Sequence, residues 1–352
     1  MTAPNGEAGG AGRADDGPPP TPPRPAEADL GRVRTVPIAR RANRVRAEEF
    51  AAPPPAAGSK RSFHAFLESL PDTLVARDFL RVAGAVAAAA RTGRAVVAML
   101  GGHVVKTGLT PLLLDLARRG VITHLAMNGS AAIHDYEMAR FGGTSEDVAA
   151  GLRDGSFGMA EETGRALNEA FVAGMRASFG MGESVARALE ADADAGRLAH
   201  PELSLLLGAR RLGVPATVHA AVGAEIIHQH PAASGAAIGD TSHRDFRRLA
   251  ASLPALDDGG VVLNIGSAVI MPEVFLKALT IARNLHDGRP RNFVSCDLDM
   301  LRHYRPRMNV VRRPTMEGGE GYEITGHHEI MLPLLAWAVV ELMEGRGTGD
   351  GG

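Results

Sequence analysis

From Ser62 onward the chain alternates between two hydrophobic rhythms. Residues 73–92 (TLVARDFLRVAGAVAAAART) are alanine-rich and amphipathic and stop at Gly93, which predicts a helix. The short apolar run AVVAML (95–100) halts at Gly101-Gly102, the pattern of a buried strand. LTPLLLDLARRG (109–120) carries proline in its first turn and glycine at its end, and reads as a helix. VITHLAM (121–127) is the next strand, stopped by Asn128-Gly129. TSEDVAAGL (144–152) opens like a capped helix, and helices are expected at 160–178, 183–195 and 201–212. Strand signals resume at 215–220, 261–266 and 292–297, separated by helical stretches at 241–253 and 272–286. Residues 327–343 close the pattern as a helix. Short apolar strands separated by helices predict an α/β fold: a doubly wound, mostly parallel, Rossmann-like sheet with helices on both faces.

Composition divides the chain. Eleven of the 22 prolines lie in residues 1–58, in stretches such as GPPPTPPRP and APPPAAGSK. Such a segment buries too little apolar surface to offset its ordering entropy. Residues 1–60 are therefore expected to be a disordered Pro/Ala/Gly/Arg-rich tail, 61–346 a single α/β domain, and 347–352 a second disordered tail. The alternative for the head is an arginine-rich docking arm around RVRTVPIARRANRVR. MTAPNGEAGG lacks the pattern of a secretory leader, and no apolar run is long enough to span a bilayer. The expectation is a cytoplasmic protein with no membrane partner. The formal net charge of −2 and 4% aromatics argue against nucleic acid as a partner. The single cysteine, Cys296, excludes an internal disulfide and a cysteine-rich zinc module.

Polar residues gather where strands end, and in an open α/β sheet that is where ligands bind. The first cluster is Gly101, Gly102, His103 and Thr107, ahead of a helix; glycines there let a backbone approach a phosphate. A plain strand-to-helix turn is the alternative, and Lys106 reads either as a phosphate contact or as a solvated lysine. The second, NGSAAIHDYEMARFGGTSED, reads as a loop carrying Asn128, Gly129, Ser130, His134, Asp135, Glu137, Glu146 and Asp147. The third, VHAAVGAEIIHQHP, holds His219, Glu225, His228 and His230. Histidine suits proton transfer near neutrality. The His-x-His spacing also suits a metal held by His219, His228 and His230, the basis of an alternative metal-dependent hydrolase or lyase. Gly266 and Ser267, Asp297, and the pair His327-His328 complete the strand-end groups. An arginine-rich stretch (Arg302, Arg305, Arg307, Arg312, Arg313) reads as an anion site, an oligomer interface or a solvated loop.

Across residues 62–345 the chain resembles the deoxyhypusine synthase family. Three stretches carry the likeness: VVAMLGGHVVKTGLTPLLLDLARRGVITHLAMNGSAAIHDYE, VPATVHAAVGAEIIHQHP and GGVVLNIGSAVIMPEVFLKAL; the closing YEITGHHEIMLPLLAWAVVE looks like the family's last strand and helix. The resemblance implies an NAD-binding Rossmann-like fold, a homotetramer, and cofactor contacts at Gly101, Gly102, His103, Thr107, Asn128, Gly129, Ser130, Gly266, Ser267 and Asp297. It places His134, Glu225, His228 and His230 beside the chemistry, with Lys277, His327 and His328 near. The family's essential lysine is expected just after Gly266-Ser267, where this sequence reads Ile270. The implied enzyme is thus an NAD-dependent transferase or lyase working on an unknown small substrate by transient oxidation, and not a true deoxyhypusine synthase. A non-catalytic NAD-binding regulator is the remaining alternative.

Overall fold

The computed structural model describes residues 28–34, 36–37, 40, 46–54 and 62–344. The chain divides into a unit of residues 1–46 and a unit of residues 47–352. Within the first, Leu30–Arg32 form one exposed 3-10 turn. The expected tail 347–352, and most of the expected head, lie outside the described residues.

The second unit is built on six parallel strands: β1 (Val96–Leu100), β2 (His124–Asn128), β3 (Ala216–His219), β4 (Val261–Ile265), β5 (Val294–Asp299) and β6 (Glu320–Thr325). Their order is β3-β2-β1-β4-β5-β6, the doubly wound Rossmann order. The expected strands all form; β6, signalled by no apolar run, is the last strand that the family resemblance implied at YEIT. It joins the sheet at the edge with Tyr322 and Ile324 as its only buried residues, too sparse a pattern to read from periodicity.

Alternate strand residues feed two cores, as the period of two demands. Val96, Ala98, Leu100, Leu125 and Leu263 pack with helices α1 (Phe63–Ser69), α2 (Leu74–Thr92), α4 (Thr110–Arg118) and the C-terminal α13 (His328–Glu344). Val97, Met99, Ala126 and Val262 pack on the other face with α10 (Gly235–Ser252) and α11 (Ile270–Leu285). Between β1 and α4 a short helix, α3 (Gly102–Lys106), begins directly at the glycine pair. After β2 come α5 (Gly129–Phe141), α6 (Val148–Asp154), α7 (Glu161–Ala177), α8 (Met181–Asp194) and α9 (Leu205–Leu212). After β5, α12 (Tyr304–Pro306) runs into a π-helical turn, Arg307–Arg312.

The segment read as a polar loop, 128–147, is mostly helix. Asn128 caps α5 by accepting from the Ala131 N–H, and Gly142 in the left-handed conformation ends it. The pattern was misleading because α5 is surrounded on most sides, so it has no clean polar stripe. Asp135, fully buried, holds the start of α9: its carboxylate accepts from Ser204 Oγ at 2.7 Å, Leu205 N at 2.5 Å and Leu206 N at 3.2 Å. This ties α5 to α9 through groups that would otherwise be unpaired at a helix N-terminus.

Strand order reverses between β1 and β4, and there two loops meet. The Gly101 N–H donates to Ile265 O at 2.9 Å. A Cβ on Gly101 would stand 1.9 Å from Gly266 O, a contact that neither backbone can relieve without moving. Gly101→Ala is therefore expected to lower unfolding stability by about 3 kcal/mol in urea titrations. An unchanged midpoint would show that the two loops are not held together.

Candidate active site

The helical form of residues 129–141 sorts their polar groups. Ser130, His134 and Glu137 recur at helical spacing and line one cavity, while Asp135 turns away to α9. The cavity measures about 290 Å³; Lys106 and Glu146 line it from α3 and the α5–α6 connection, and Glu225 closes it from the loop after β3. A wider hollow of about 440 Å³ shares Glu137, Ser145 and Glu146 with it.

Three close approaches bring the strand-end loops together. A Cβ on Gly102 would lie 2.5 Å from Ser130 Oγ and 3.0 Å from the His134 ring. One on Gly129 would lie 2.6 Å from the Glu225 carboxyl carbon. Gly266, at φ +67°, would collide with the His328 ring at 2.8 Å if it carried a Cβ, and it occupies a conformation L-residues avoid. His103 and His328 stack loosely, with ring centroids 5.6 Å apart.

Glu225 is the least compensated carboxylate of the group. Its Oε1 accepts from the Ala221 N–H at 2.8 Å, and its Oε2 stands 3.2 Å from His228 Nε2 without a well-aligned hydrogen bond. Burial pushes its pKa up to about 7, against the pull of the Ala221 N–H. His228 Nδ1 accepts from the Gly223 N–H at 3.1 Å, so the neutral ring carries its proton on Nε2, facing Glu225. Burial also lowers the His228 pKa, which keeps it neutral.

His134 is held differently. Thr144 Oγ1 donates to Glu137 Oε2, so at 2.7 Å it must accept from His134 Nδ1–H. Thr163 donates to the other Glu137 oxygen at 3.1 Å. The His134 Nε2 is left as a lone pair. Burial, and then the Lys106 charge, push its pKa down to about 4, so it acts as a hydrogen-bond acceptor and not as a proton store at neutral pH. Thr144 reads in the sequence as the opening of a capped helix at 144–152; α6 instead begins at Val148 behind an Asp147 cap, and Thr144 fixes the His134 tautomer because the chain turns back at Gly142-Gly143.

The other expected residues separate. His230 is paired with Glu161 at 3.0 Å and accepts from the Ala232 N–H, away from His228. His219 is buried against Thr217 at 3.0 Å. The set His219, His228 and His230 is thus not assembled around one point; each ring is turned to a different partner, and among the described residues no three His, Cys, Asp or Glu side chains could hold a metal. Lys277 lies on the exposed side of α11, paired with Glu273. His327 is 65% exposed beside Glu329. Thr107 donates to His103 O at 3.0 Å and serves the end of α3. Ser267 Oγ accepts from the Met271 N–H, and Asn264 links Ser267 O to Asp297. Burial raises Asp297 to about 7, against the Asn264 bond.

No protein-family model matches the chain, and no curated protein matches it. Solved structures do share its architecture. The ternary complex of AgrE with ornithine and NAD+ aligns with a TM-score of 0.50 at 15% identity, over 76% of this chain and 33% of that one. A conserved protein of Methanococcus maripaludis S2 assigned as LOR/SDH aligns at TM-score 0.47 and 14% identity, over 77% and 71%. A chain of Entamoeba histolytica assigned as a deoxyhypusine synthase aligns at 0.46 and 10%, over 80% and 94%. The likeness to AgrE is one of fold, and this chain spans about a third of that protein's length.

A carboxyl pKa raised on folding means that stability is lost as pH climbs from the unfolded value to the folded one. For Glu225 that window runs from 4.5 to about 7. Across it the wild-type protein should lose about 3 kcal/mol relative to Glu225→Gln, read from urea midpoints at several pH values. Parallel curves would show that Glu225 is not desolvated.

Proposed function

We propose that the chain is an NAD-dependent enzyme acting on a small substrate held beside Glu225. The observation that carries this reading is a buried carboxyl with a pKa of about 7, 3.2 Å from a neutral imidazole, at the carboxyl end of a doubly wound sheet. The AgrE structure that shares this fold is complexed with ornithine and NAD+, which supports the choice of cofactor.

The residues present fit such a group. The Ser130 hydroxyl in the first turn of α5 and the Lys106 ammonium line the same cavity and suit phosphate oxygens. The tight glycine approaches at Gly101 and Gly102 leave backbone, not side chains, at the end of β1. Bound there, NAD would supply a hydride acceptor.

The chain's own groups divide the remaining work. Glu225, deprotonated above neutrality, takes a proton from a substrate hydroxyl or amine. His228 Nε2–H faces the resulting change of charge on Glu225 Oε2. His134 offers its Nε2 lone pair to a donor on the substrate. With NAD bound, a reversible proton acceptor at Glu225 would suit transient oxidation followed by group transfer or elimination.

Calorimetric titration with NAD+ and NADH tests the cofactor. Saturable binding is expected, weakened about tenfold in Lys106→Ala, the worth of one charge-assisted contact, and retained in Glu225→Gln. Folded protein that binds neither nucleotide would overturn the reading.

A further inference from the structure

A cavity larger than that of the candidate active site lies elsewhere among the described residues. It lies at the opposite end of β3, where Val214, Pro215 and Ala216 enter the sheet, and measures about 560 Å³. Its walls are the apolar faces of α8, α9 and α10, with Ala186, Leu206 and Ala251 among the lining residues. A volume of this size is typical of small-molecule sites.

Two features make it more than an apolar hollow. First, His124 lines the cavity and is 2% exposed, with Nε2 on Thr217 Oγ1 at 3.0 Å and Nδ1 without a hydrogen-bond partner. A buried polar atom left unpaired is costly, and a polar atom of a ligand would satisfy it. Second, the cavity shares Arg248 and Ala251 with a neighbouring hollow of about 230 Å³ lined by Arg244, Arg247 and Arg248. Arg248 bridges Glu183 at 3.0 Å and lies 3.6 Å from Asp245; Arg244 is held by Asp240, and Arg210, on the cavity wall, by Glu190. Arg210, Arg244 and Arg248 are thus paired with carboxylates, and Arg247, in the neighbouring hollow, forms no such pair among the described residues. The site is a largely apolar chamber with arginine guanidinium groups at its mouth.

We propose that this cavity is a second ligand site, for an amphipathic anion whose apolar body fills the chamber and whose carboxylate or phosphate meets Arg247 and Arg248. Thr217 links the site to the far end of the strand: its Oγ1 lies 3.0 Å from both His124 Nε2 and His219 Nε2. Thr217 has one hydroxyl proton, so it can donate to at most one of the two rings, and at least one Nε2 must carry a proton. Where the ligand also carries an acceptor opposite His124 Nδ1–H, His124 Nε2 becomes a lone pair that takes the Thr217 proton, and His219 Nε2 must then carry its own proton; His219 pairs in register with Asn128 at the start of α5.

The test titrates the full chain with octanoate, octyl phosphate and octan-1-ol by calorimetry. One saturable site is expected for an anion, with octan-1-ol about tenfold weaker for want of the charge-assisted contact. The tighter of the two anions identifies the head group as carboxylate or phosphate. Arg248→Gln should weaken the anion about tenfold, and Ala251→Trp, at an exposed position on the rim, should block it. In nuclear magnetic resonance spectra the anion should shift the His124 ring signals, assigned by their loss in His124→Gln. Absence of saturable binding, or binding indifferent to Arg248→Gln and Ala251→Trp, would overturn the proposal. NAD titrations of the same variants keep this result separate from that of the active-site reading.

Discussion

The reversal of strand order between β1 and β4 governs the rest of this molecule. Crossovers leave β1 and β4 in opposite directions, so their carboxyl ends are not roofed by a shared connection. The Gly101 N–H to Ile265 O bond seals the sheet up to its last residue, and no Cβ at position 101 fits against Gly266 O. On the other side β1 pairs with β2, so α3 and α5 start side by side, and the first turn of α5 is pressed against Gly102 on one flank and Glu225 on the other. The positions of Ser130, His134 and Glu225 around the cavity follow from that packing.

Buried carboxylates then acquire different characters from the number of donors each receives. Asp135 is fully buried yet accepts three hydrogen bonds, and its pKa rises only to about 6. Asp245 accepts two backbone bonds and rises to about 7. Glu225 accepts one, and rises to about 7 although it is less deeply enclosed. Asp135 and Asp245 hold helix and strand ends in place. Glu225 alone of the three borders a cavity large enough for a substrate, so the same desolvation that is merely tolerated elsewhere becomes usable chemistry there.

The two cavities sit at opposite ends of β3 and differ in kind. The one at the carboxyl end is lined by titratable groups from α3, α5 and the β3 loop. The one at the amino end is apolar, rimmed by arginines, with a single buried histidine in its wall. Four residues of strand, and the Thr217 hydroxyl between two imidazoles, separate the two.

Periodicity alone was enough for much of this. The helix expected at 73–92 forms at Leu74–Thr92 and ends at Gly93, and the glycine pairs and Asn128 mark true strand ends, because local backbone demands are written in local sequence. α5 was not legible, since a helix enclosed on most sides carries no polar stripe, and β6, an edge strand with few buried residues, was legible through the family resemblance and not through periodicity. The candidate site was legible as a set of segments and not as a set of partners. His228 and His230 are two residues apart, yet one faces Glu225 and the other Glu161. The sequence by itself determined the α/β class, the parallel sheet and which loops carry polar groups. Only the tertiary structure decided which histidine meets which carboxylate, which tautomer each ring adopts and which carboxyl is left short of donors, because those properties depend on burial and on neighbours brought in from other strands.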